Sequence, residues 1–302
     1  MNDNQNERPE LILIDGYGFI FRAYYSQPAL TTPSGIPIGG IYGFIRMLFK
    51  LLSVTLFNAH ATDECKQYIA IILDKGGSKD TFRHQIYSPY KAKRPELPED
   101  LITQFAIMRE AIEAFGIKYI DQQGIEADDI IATYAKYGVK EKCKIKIISS
   151  DKDLLQLVND DAVVVYDPIK ARIMDSVAVK EKMGITPTQI VDYLALTGDS
   201  ADNIPGVRGI GAKTAASLLQ EYHSLDNIYL NIDKVYPDRI QRLLVEGREM
   251  ALTSRMLVQL ITNAAMPYSI EELGWMGLRG NYQSIGRFLE IYALKNCLNH
   301  AW

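Results

Sequence analysis

Nine carboxylates in this 302-residue chain stand where chemistry is done rather than where solubility is needed. Asp15 ends L-I-L-I-D-G, Asp74 ends I-A-I-I-L-D, and Asp151 and Asp153 end I-K-I-I-S-S-D-K-D. Glu126, Asp128 and Asp129 open G-I-E-A-D-D-I-I-A, while Asp199 and Asp202 stand three apart in L-T-G-D-S-A-D-N-I-P-G. An aspartate after a strand or before a helix ordinarily caps backbone N–H groups, and each motif taken alone carries that reading. Their joint placement says more. In an open α/β sheet the carboxyl ends of parallel strands form one crevice, so the acids at three strand ends become neighbours. Like charges gathered there raise one another's pKa and destabilise the fold unless a positive charge neutralises them. A hard divalent cation, Mg²⁺ or in its place Mn²⁺, takes oxygen ligands of this kind. So many carboxylates could hold two ions about 4 Å apart, the spacing that clamps both oxygens of an in-line phosphoryl displacement. The four histidines, His60, His84, His223 and His300, lie outside every acidic motif, so no histidine-centred chemistry competes.

The second chemical feature is G-V-R-G-I-G-A-K-T-A-A, Gly206 to Ala216. Gly209 and Gly211 permit positive φ and close approach of backbone to a ligand; a helix start with free N–H groups follows, and Lys213 and Thr214 add a charge and a hydroxyl. The nucleotide-binding loop G-x-x-x-x-G-K-[ST] needs another spacing and a preceding strand. A bare turn between helices is one account; a helix-hairpin-helix gripping a nucleic-acid backbone without reading bases is the better one. A third feature is basic. Lys75, Lys79, Arg83, Lys91, Lys93 and Arg94 face a single acid, Asp80, although the chain as a whole carries a net charge of −4. Interleaved with Phe82, Tyr87 and Tyr90, this segment could admit a single strand by charge and stacking, or could be a solvated loop.

The elements that must position these groups follow from apolar periodicity. Short runs at Leu11–Ile14, Tyr68–Leu73, Lys118–Ile120, Ile145–Ile148 and Ala162–Tyr166 read as strands buried on both faces. Helical patterns at Ile41–Phe57, Leu101–Phe115 and Asp128–Tyr137 alternate with them, giving an α/β fold with a mostly parallel central sheet. From about Thr186 strand signals stop, and helices are expected at Thr188–Leu196, Ala212–Glu221, Pro237–Leu244, Arg248–Leu260 and Ser284–Asn296. Cys65, Cys143 and Cys297 show no metal-ligand or redox spacing. The most apolar run, Ile41–Phe57, is broken by Arg46 and Lys50 and is short for a membrane span, so a cytoplasmic protein is expected.

These residues spell a family. L-I-L-I-D-G-Y, I-I-L-D-K, T-F-R-H-Q-I-Y-S-P-Y-K-A-K-R-P-E-L-P, G-I-E-A-D-D-I-I-A, I-S-S-D-K-D-L-L-Q-L and L-T-G-D-S-A-D-N-I-P-G-V-R-G-I-G-A-K-T-A run in order over nearly the whole chain. The sequence resembles the bacterial 5′-3′ exonuclease, or flap endonuclease, family, and is similar in particular to the 5′-nuclease domain at the N-terminus of bacterial DNA polymerase I. The chain ends at Trp302, about where that domain ends, so polymerase and proofreading domains are not expected. The resemblance implies a PIN-like core over residues 1–185, with a helical arch at about 75–115, and a helical DNA-binding subdomain over 186–302 with a helix-three-turn-helix at about 198–222. It implies two divalent ions among Asp15, Asp74, Glu126, Asp128, Asp129, Asp151, Asp153, Asp199 and Asp202, the last two acting with Asp151 and Asp153 on the more distal ion. Lys91 and Arg94 match arch residues that meet the scissile phosphate, and Phe21 and Arg22 match positions near the 5′ nucleotide. The family's hairpin also binds K⁺ through backbone carbonyls around Val207 and Ile210. D-G-Y-G stands where D-G-S-S is more usual, which touches nothing catalytic.

The implied activity is Mg²⁺-dependent hydrolysis of phosphodiesters at 5′ flaps, nicks and RNA-primed ends, without sequence preference, by a monomer working beside a DNA polymerase and a ligase. Two other readings stay open. A catalytically silent DNA-binding module would bind flaps without cutting them, and the complete acid set argues against it. A haloacid-type phosphatase would need D-x-D after the first strand, where this chain has Tyr17.

Overall fold

The computed structural model describes residues 8–57, 67–75 and 81–298. Cys65, His60, His300, Lys79 and Asp80 lie outside them. Six strands form one sheet: β1 (Glu10–Asp15), β2 (Gln67–Ile72), β3 (Lys118–Ile120), β4 (Lys144–Ile148), β5 (Val163–Asp167) and β6 (Arg172–Met174), in the order β3-β2-β1-β4-β5-β6. All neighbours are parallel except β5 and β6, which form an antiparallel hairpin. The chain runs outward from β1 through β2 to β3, then returns to place β4 on the other flank of β1. That reversal puts the switch point of the sheet between β1 and β4, where such sheets open their ligand crevice.

The apolar runs are continuous because each strand serves two cores. Leu11 and Leu13 of β1 join one cluster and Ile12 and Ile14 the other; in β2, Tyr68, Ala70 and Ile72 alternate in the same way with Ile69, Ile71 and Leu73. Leu11 to Ile14 are each no more than 2% exposed, so each side chain contributes roughly 2 kcal/mol of burial. The second cluster is roofed by α1 (Gly16–Ser26), α2 (Gly39–Phe57), α4 (Glu99–Ala114) and α13 (Tyr282–Ile291). The first is roofed by α5 (Ala127–Lys140) and runs without a break into α7 (Ile190–Thr197), α8 (Ala212–Tyr222), α9 (Leu225–Leu230) and α11 (Arg248–Val258). Between these lie α3 (Phe82–Ile86), α6 (Ser176–Met183), α10 (Asp238–Glu246) and α12 (Gly277–Gly280). No helix among the described residues is long and apolar enough to cross a membrane.

Three expectations need correction. The first helix, α1, begins directly after Asp15, which caps it by accepting the N–H of Gly18; its glycines and aromatics hide the helical period in G-Y-G-F-I-F-R-A-Y-Y-S. The edge strand β6 and helix α6 were equally unforeseen, the first because three residues give no pattern. The arch expected at about 75–115 is narrower. Leu101, Gln104, Met108, Ala111 and Ile112 of α4 are buried, and α4 lies against α2 and α13 as part of the core. Of the turn between α3 and α4, residues 87–98, Lys91 and Arg94 line the cleft.

Candidate active site

The carboxyl ends of β1, β2 and β4 open on one cleft of about 560 Å³, joined by the start of the helix that follows β3. Asp15 arrives from the end of β1, Asp74 from just past β2, Glu126 and Asp128 from the start of α5, and Asp151 from the loop after β4. Asp199 and Asp202 arrive from the loop that ends α7. Seven of the nine acids therefore line the cleft, with Tyr17, Phe21, Lys91 and Arg94. Asp153 is buried directly behind Asp151, donating its backbone N–H to Asp151 Oδ1 at 2.9 Å.

The two readings of these acids prove to be compatible. Asp74 Oδ1 accepts the N–H of Ala127 at 2.8 Å, so a residue beyond β2 caps the helix that follows β3. Asp199 Oδ1 accepts the N–H of Ala201 at 2.9 Å, and Asp15 Oδ2 accepts the hydroxyl of Ser149 at 2.8 Å. In Asp74 and Asp199 one oxygen fixes the backbone, whereas Asp15 has Oδ1 on the N–H of Gly18 and Oδ2 on Ser149.

The loop carrying Asp199 and Asp202 is closed on itself. Asp199 and Ile204 exchange N–H to C=O bonds of 2.9 and 2.7 Å, and Gly206 donates its N–H to Ser254 Oγ. Gly198 and Gly206 hold φ of +68° and +60°, and a Cβ on either would strike the backbone of the opposite limb. A second tie crosses to the basic turn: Lys91 donates its N–H to Asp202 O at 2.8 Å, and Asn203 Nδ2 donates to Pro89 O at 2.7 Å.

Charge is uneven across the site. Burial pushes Asp15 up to about 6, against the hydrogen bond from Ser149 and with added repulsion from Asp151. Burial, then Asp151 and Asp15, raises Asp128 well above the usual carboxylate range, and burial, then Asp151 and Asp199, does the same to Asp153. Burial raises Asp74 and Asp151 as well, Lys91 opposing in both cases. Glu126 goes the other way: burial would raise it, but Lys91 and Arg83 hold it below. Lys91 Nζ sits 2.8 Å from Glu126 Oε2, Arg94 pairs with Asp202, and Lys152 Nζ lies 3.0 Å from Asp199 Oδ2.

Buried Glu126 Oε1 and Asp153 Oδ1 have no hydrogen-bond partner among the described residues, a condition that costs free energy unless a ligand meets them. An all-oxygen, net-negative set with two orphaned atoms fits a hard divalent cation. The side chains do not, however, form a finished cage: among the described residues no group of three acids, histidines or cysteines closes on one point. Mutual repulsion and the pairing of Glu126, Asp199 and Asp202 with protein cations account for that.

Three expected site residues have other duties. Asp129 is fully buried outside the cleft, its two oxygens taking Arg83 Nη1 and Nη2 at 2.7 and 2.8 Å. Arg83, expected to touch DNA, is 2% exposed and also donates to the carbonyls of Leu257 and Gln259. Tyr90 is 3% exposed, too enclosed to stack on a base, and donates its hydroxyl to Glu126 Oε2 at 3.0 Å. Phe21 is half-buried in the cleft wall and Arg22 is exposed beside it. Gly209, Gly211, Lys213 and Thr214 are away from the cleft; α8 begins at Gly211 with no side-chain cap, and Lys213 is exposed. Val207 and Ile210 bury their side chains, and the Val207 carbonyl accepts the N–H of Ile210 at 3.0 Å. Sequence reasoning missed Ser149, Lys152 and Lys182. The first two were legible inside S-S-D-K-D, whereas nothing in the sequence links Lys182 to the cleft that it lines.

Comparison with known proteins gives a consistent result. Residues 10–184 match the family described as 5′-3′ exonuclease, N-terminal resolvase-like domain, and residues 185–280 match 5′-3′ exonuclease, C-terminal SAM fold. The 5′-3′ exonuclease of Aquifex aeolicus is 38% identical over 263 residues, spanning 87% of this chain and 86% of that one. DNA polymerase I of Rhizobium leguminosarum is 42% identical over 266 residues, 87% of this chain but 26% of the polymerase. The chain thus spans about a quarter of that polymerase's length. Among solved structures, a bacteriophage T5 flap endonuclease in a pseudo-enzyme–product complex with DNA and metal ions superposes with a TM-score of 0.66 at 22% identity, covering 93% of this chain and 99% of that one. The catalytic core of Rad2 with DNA substrate gives 0.56 at 15%, covering 95% and 88%. At these identities the likeness is one of fold.

Proposed function

This chain belongs to the 5′-3′ exonuclease family, and from that premise we propose that it is a divalent-metal-dependent nuclease that removes 5′ flaps and 5′ ends from DNA and RNA-primed duplexes. The observation that carries the reading is the convergence of seven carboxylates, from five separate segments, on one cleft that also holds Lys91 and Arg94. Asp15, Asp74, Glu126, Asp128 and Asp151 would hold one Mg²⁺, and Asp151, Asp153, Asp199 and Asp202 a second; Asp129, committed to Arg83, is left out of the set. When bound, such ions supply Lewis acidity, neutralising phosphate oxygens and lowering the pKa of water.

The chain's own residues do the rest. Lys91 and Arg94 bind the scissile phosphate and stabilise the charge that grows on it during in-line displacement. Phe21, with Tyr17 behind it at a centroid distance of 5.7 Å, offers a ring to the 5′ nucleotide, and Arg22 its charge. Residues 1–185 form the catalytic region. Residues 186–302 hold the duplex, Gly209, Gly211, Lys213 and Thr214 gripping backbone at the uncapped start of α8 and K⁺ sharing the carbonyls of Val207 and Ile210. Recognition through phosphates alone gives no sequence preference. A monomer acting in the cytoplasm beside a DNA polymerase and a ligase completes the reading.

The test is cleavage of a labelled 5′-flap duplex in Mg²⁺ and in EDTA, with Asp151→Asn and Lys91→Ala beside the parent. Cleavage is expected in Mg²⁺ only, with a loss on the order of 10²-fold or more in each variant. Undiminished cutting by Asp151→Asn would sink the metal assignment, flap binding without cutting would favour a silent DNA-binding module, and steep sequence preference would sink backbone-only recognition.

A further inference from the structure

We propose that Lys182, with Lys170 beside it, is a second contact for the phosphodiester backbone, on a wall of the cleft that no sequence motif marks. Lys182 lies in the last turn of α6 and lines the same cleft as Asp199, Lys152 and Lys91. Its position is fixed at both ends of the helix. Asp175 caps the start by accepting the N–H of Ala178 at 2.8 Å, and Gln220 of α8 donates to the carbonyl of Gly184 at 2.6 Å. Lys170 sits on the turn of the β5–β6 hairpin, where Asp167 Oδ1 accepts the N–H groups of Ile169 and Lys170.

Three other cations, Lys170, Arg172 and Lys152, act on the charge of Lys182. Lys152 is answered by Asp199 and Arg172 by Glu181, each at 3.0 Å. Lys170 and Lys182 have no carboxylate within 4.0 Å among the described residues. Burial, then the charge of Lys170, lowers the pKa of Lys182; Asp167 offsets this in part, while Arg172 and Lys152 add to it. Cations gathered against their own repulsion at the rim of a cleft are a docking place for a polyanion. The hairpin continues the strip. Pro168 and Ile169, next to Lys170 in the hairpin, line a small recess with Arg22 and Asp15. Phosphates one or two nucleotides from the cut would lie along the strip, held without reading any base.

This rests on the nuclease reading, and the experiment separates the two. Equilibrium binding of a fluorescent 5′-flap duplex is measured in EDTA, where nothing is cut, from about 50 to 200 mM KCl. The slope of log K against log salt should flatten by about 0.7–0.9 in Lys182→Ala and by about twice that in Lys170→Ala/Lys182→Ala. Lys182→Arg should keep the parental slope. Lys140→Ala removes an equal charge at the far end of α5, about 20 Å along the helix, and should also keep it. An unchanged slope in the double variant, or an equal loss in Lys140→Ala, overturns the proposal. If the parent cuts flaps in Mg²⁺ while the double variant binds as the parent does, only this inference fails; if the parent never cuts, the nuclease reading fails whatever the slopes.

Discussion

Replacing Arg83 with methionine removes four hydrogen bonds from one buried point: two to Asp129 and one each to the carbonyls of Leu257 and Gln259. Asp129 keeps only the N–H of Ile261 at 2.8 Å and becomes a buried carboxylate without a counter-charge. Breaking such a pair from one side costs about 3–5 kcal/mol, a large part of the roughly 5–15 kcal/mol that holds a protein of this kind together. Asp129→Leu, which strands the guanidinium instead, should cost a similar amount. In the double variant Arg83→Met/Asp129→Leu neither charge is left alone and apolar volume replaces polar volume. It should recover to within about 2 kcal/mol of the parent, a coupling of at least about 3 kcal/mol. Equilibrium urea unfolding followed by circular dichroism measures all four proteins, provided that the denaturant slopes agree. Additive losses would refute a coupled Arg83–Asp129 pair, which stands with Glu126 Oε2 3.6 Å from Arg83 Nη1. So would a fully stable Arg83→Met whose DNA binding loses salt dependence, because that is how an exposed phosphate contact behaves.

Neutralising a repelled acid should stabilise the metal-free fold even as it abolishes catalysis. Asp151→Asn is accordingly expected to raise Tm in EDTA while failing to cut in Mg²⁺, and a fall in Tm would contradict the repulsion described for the cleft. Asp15 binds its proton more tightly folded, near 6, than at its ordinary 3.8. Its contribution is therefore most favourable below about 4 and is lost as pH rises through about 6, roughly 3 kcal/mol in all. Against the parent, Asp15→Asn should gain that much in EDTA between pH 4 and pH 7; a pH-independent difference in urea midpoints would show that Asp15 ionises normally. Gly206→Ala must place a Cβ against Gly198 at positive φ, and about 2 kcal/mol or more of stability should go, with thermal melting as the readout and an unchanged Tm as the contrary result.

What the sequence made legible follows from how the sheet is built. Burial on both faces writes each strand as an unbroken apolar run, so the first aspartate after it marks the strand end and therefore the crevice; Asp15, Asp74 and Asp151 could be placed on that basis alone. The hidden parts have equally physical causes. A charge such as Arg83 reads as exposed because most are, and only the fold supplies Asp129 and two carbonyls to meet it. Tyr90 in a segment of six cations reads as a stacking ring, whereas its hydroxyl has Glu126 to answer. Lys182 joins the cleft because its helix is held at the far end by Gln220 of α8 on the carbonyl of Gly184, a long-range contact with no local signature. The short α1 escaped notice because its glycines, needed for close approach to β2, weaken the very pattern that reveals a helix.

The tie between the basic turn and the acid loop is made by the amide of Lys91, the carbonyls of Pro89 and Asp202, and the side chain of Asn203. The side chain at position 91 adds to it only a long ion pair, Nζ to Asp202 Oδ2 at 3.9 Å. That makes the position a socket whose fitting can be exchanged. A cysteine there could carry a spectroscopic probe, and an ornithine or homolysine analogue could shorten or lengthen the reach by one methylene, with the mounting left in place. The same separation lets natural variation tune the cation at this point without re-solving the geometry of the loop that carries Asp199 and Asp202.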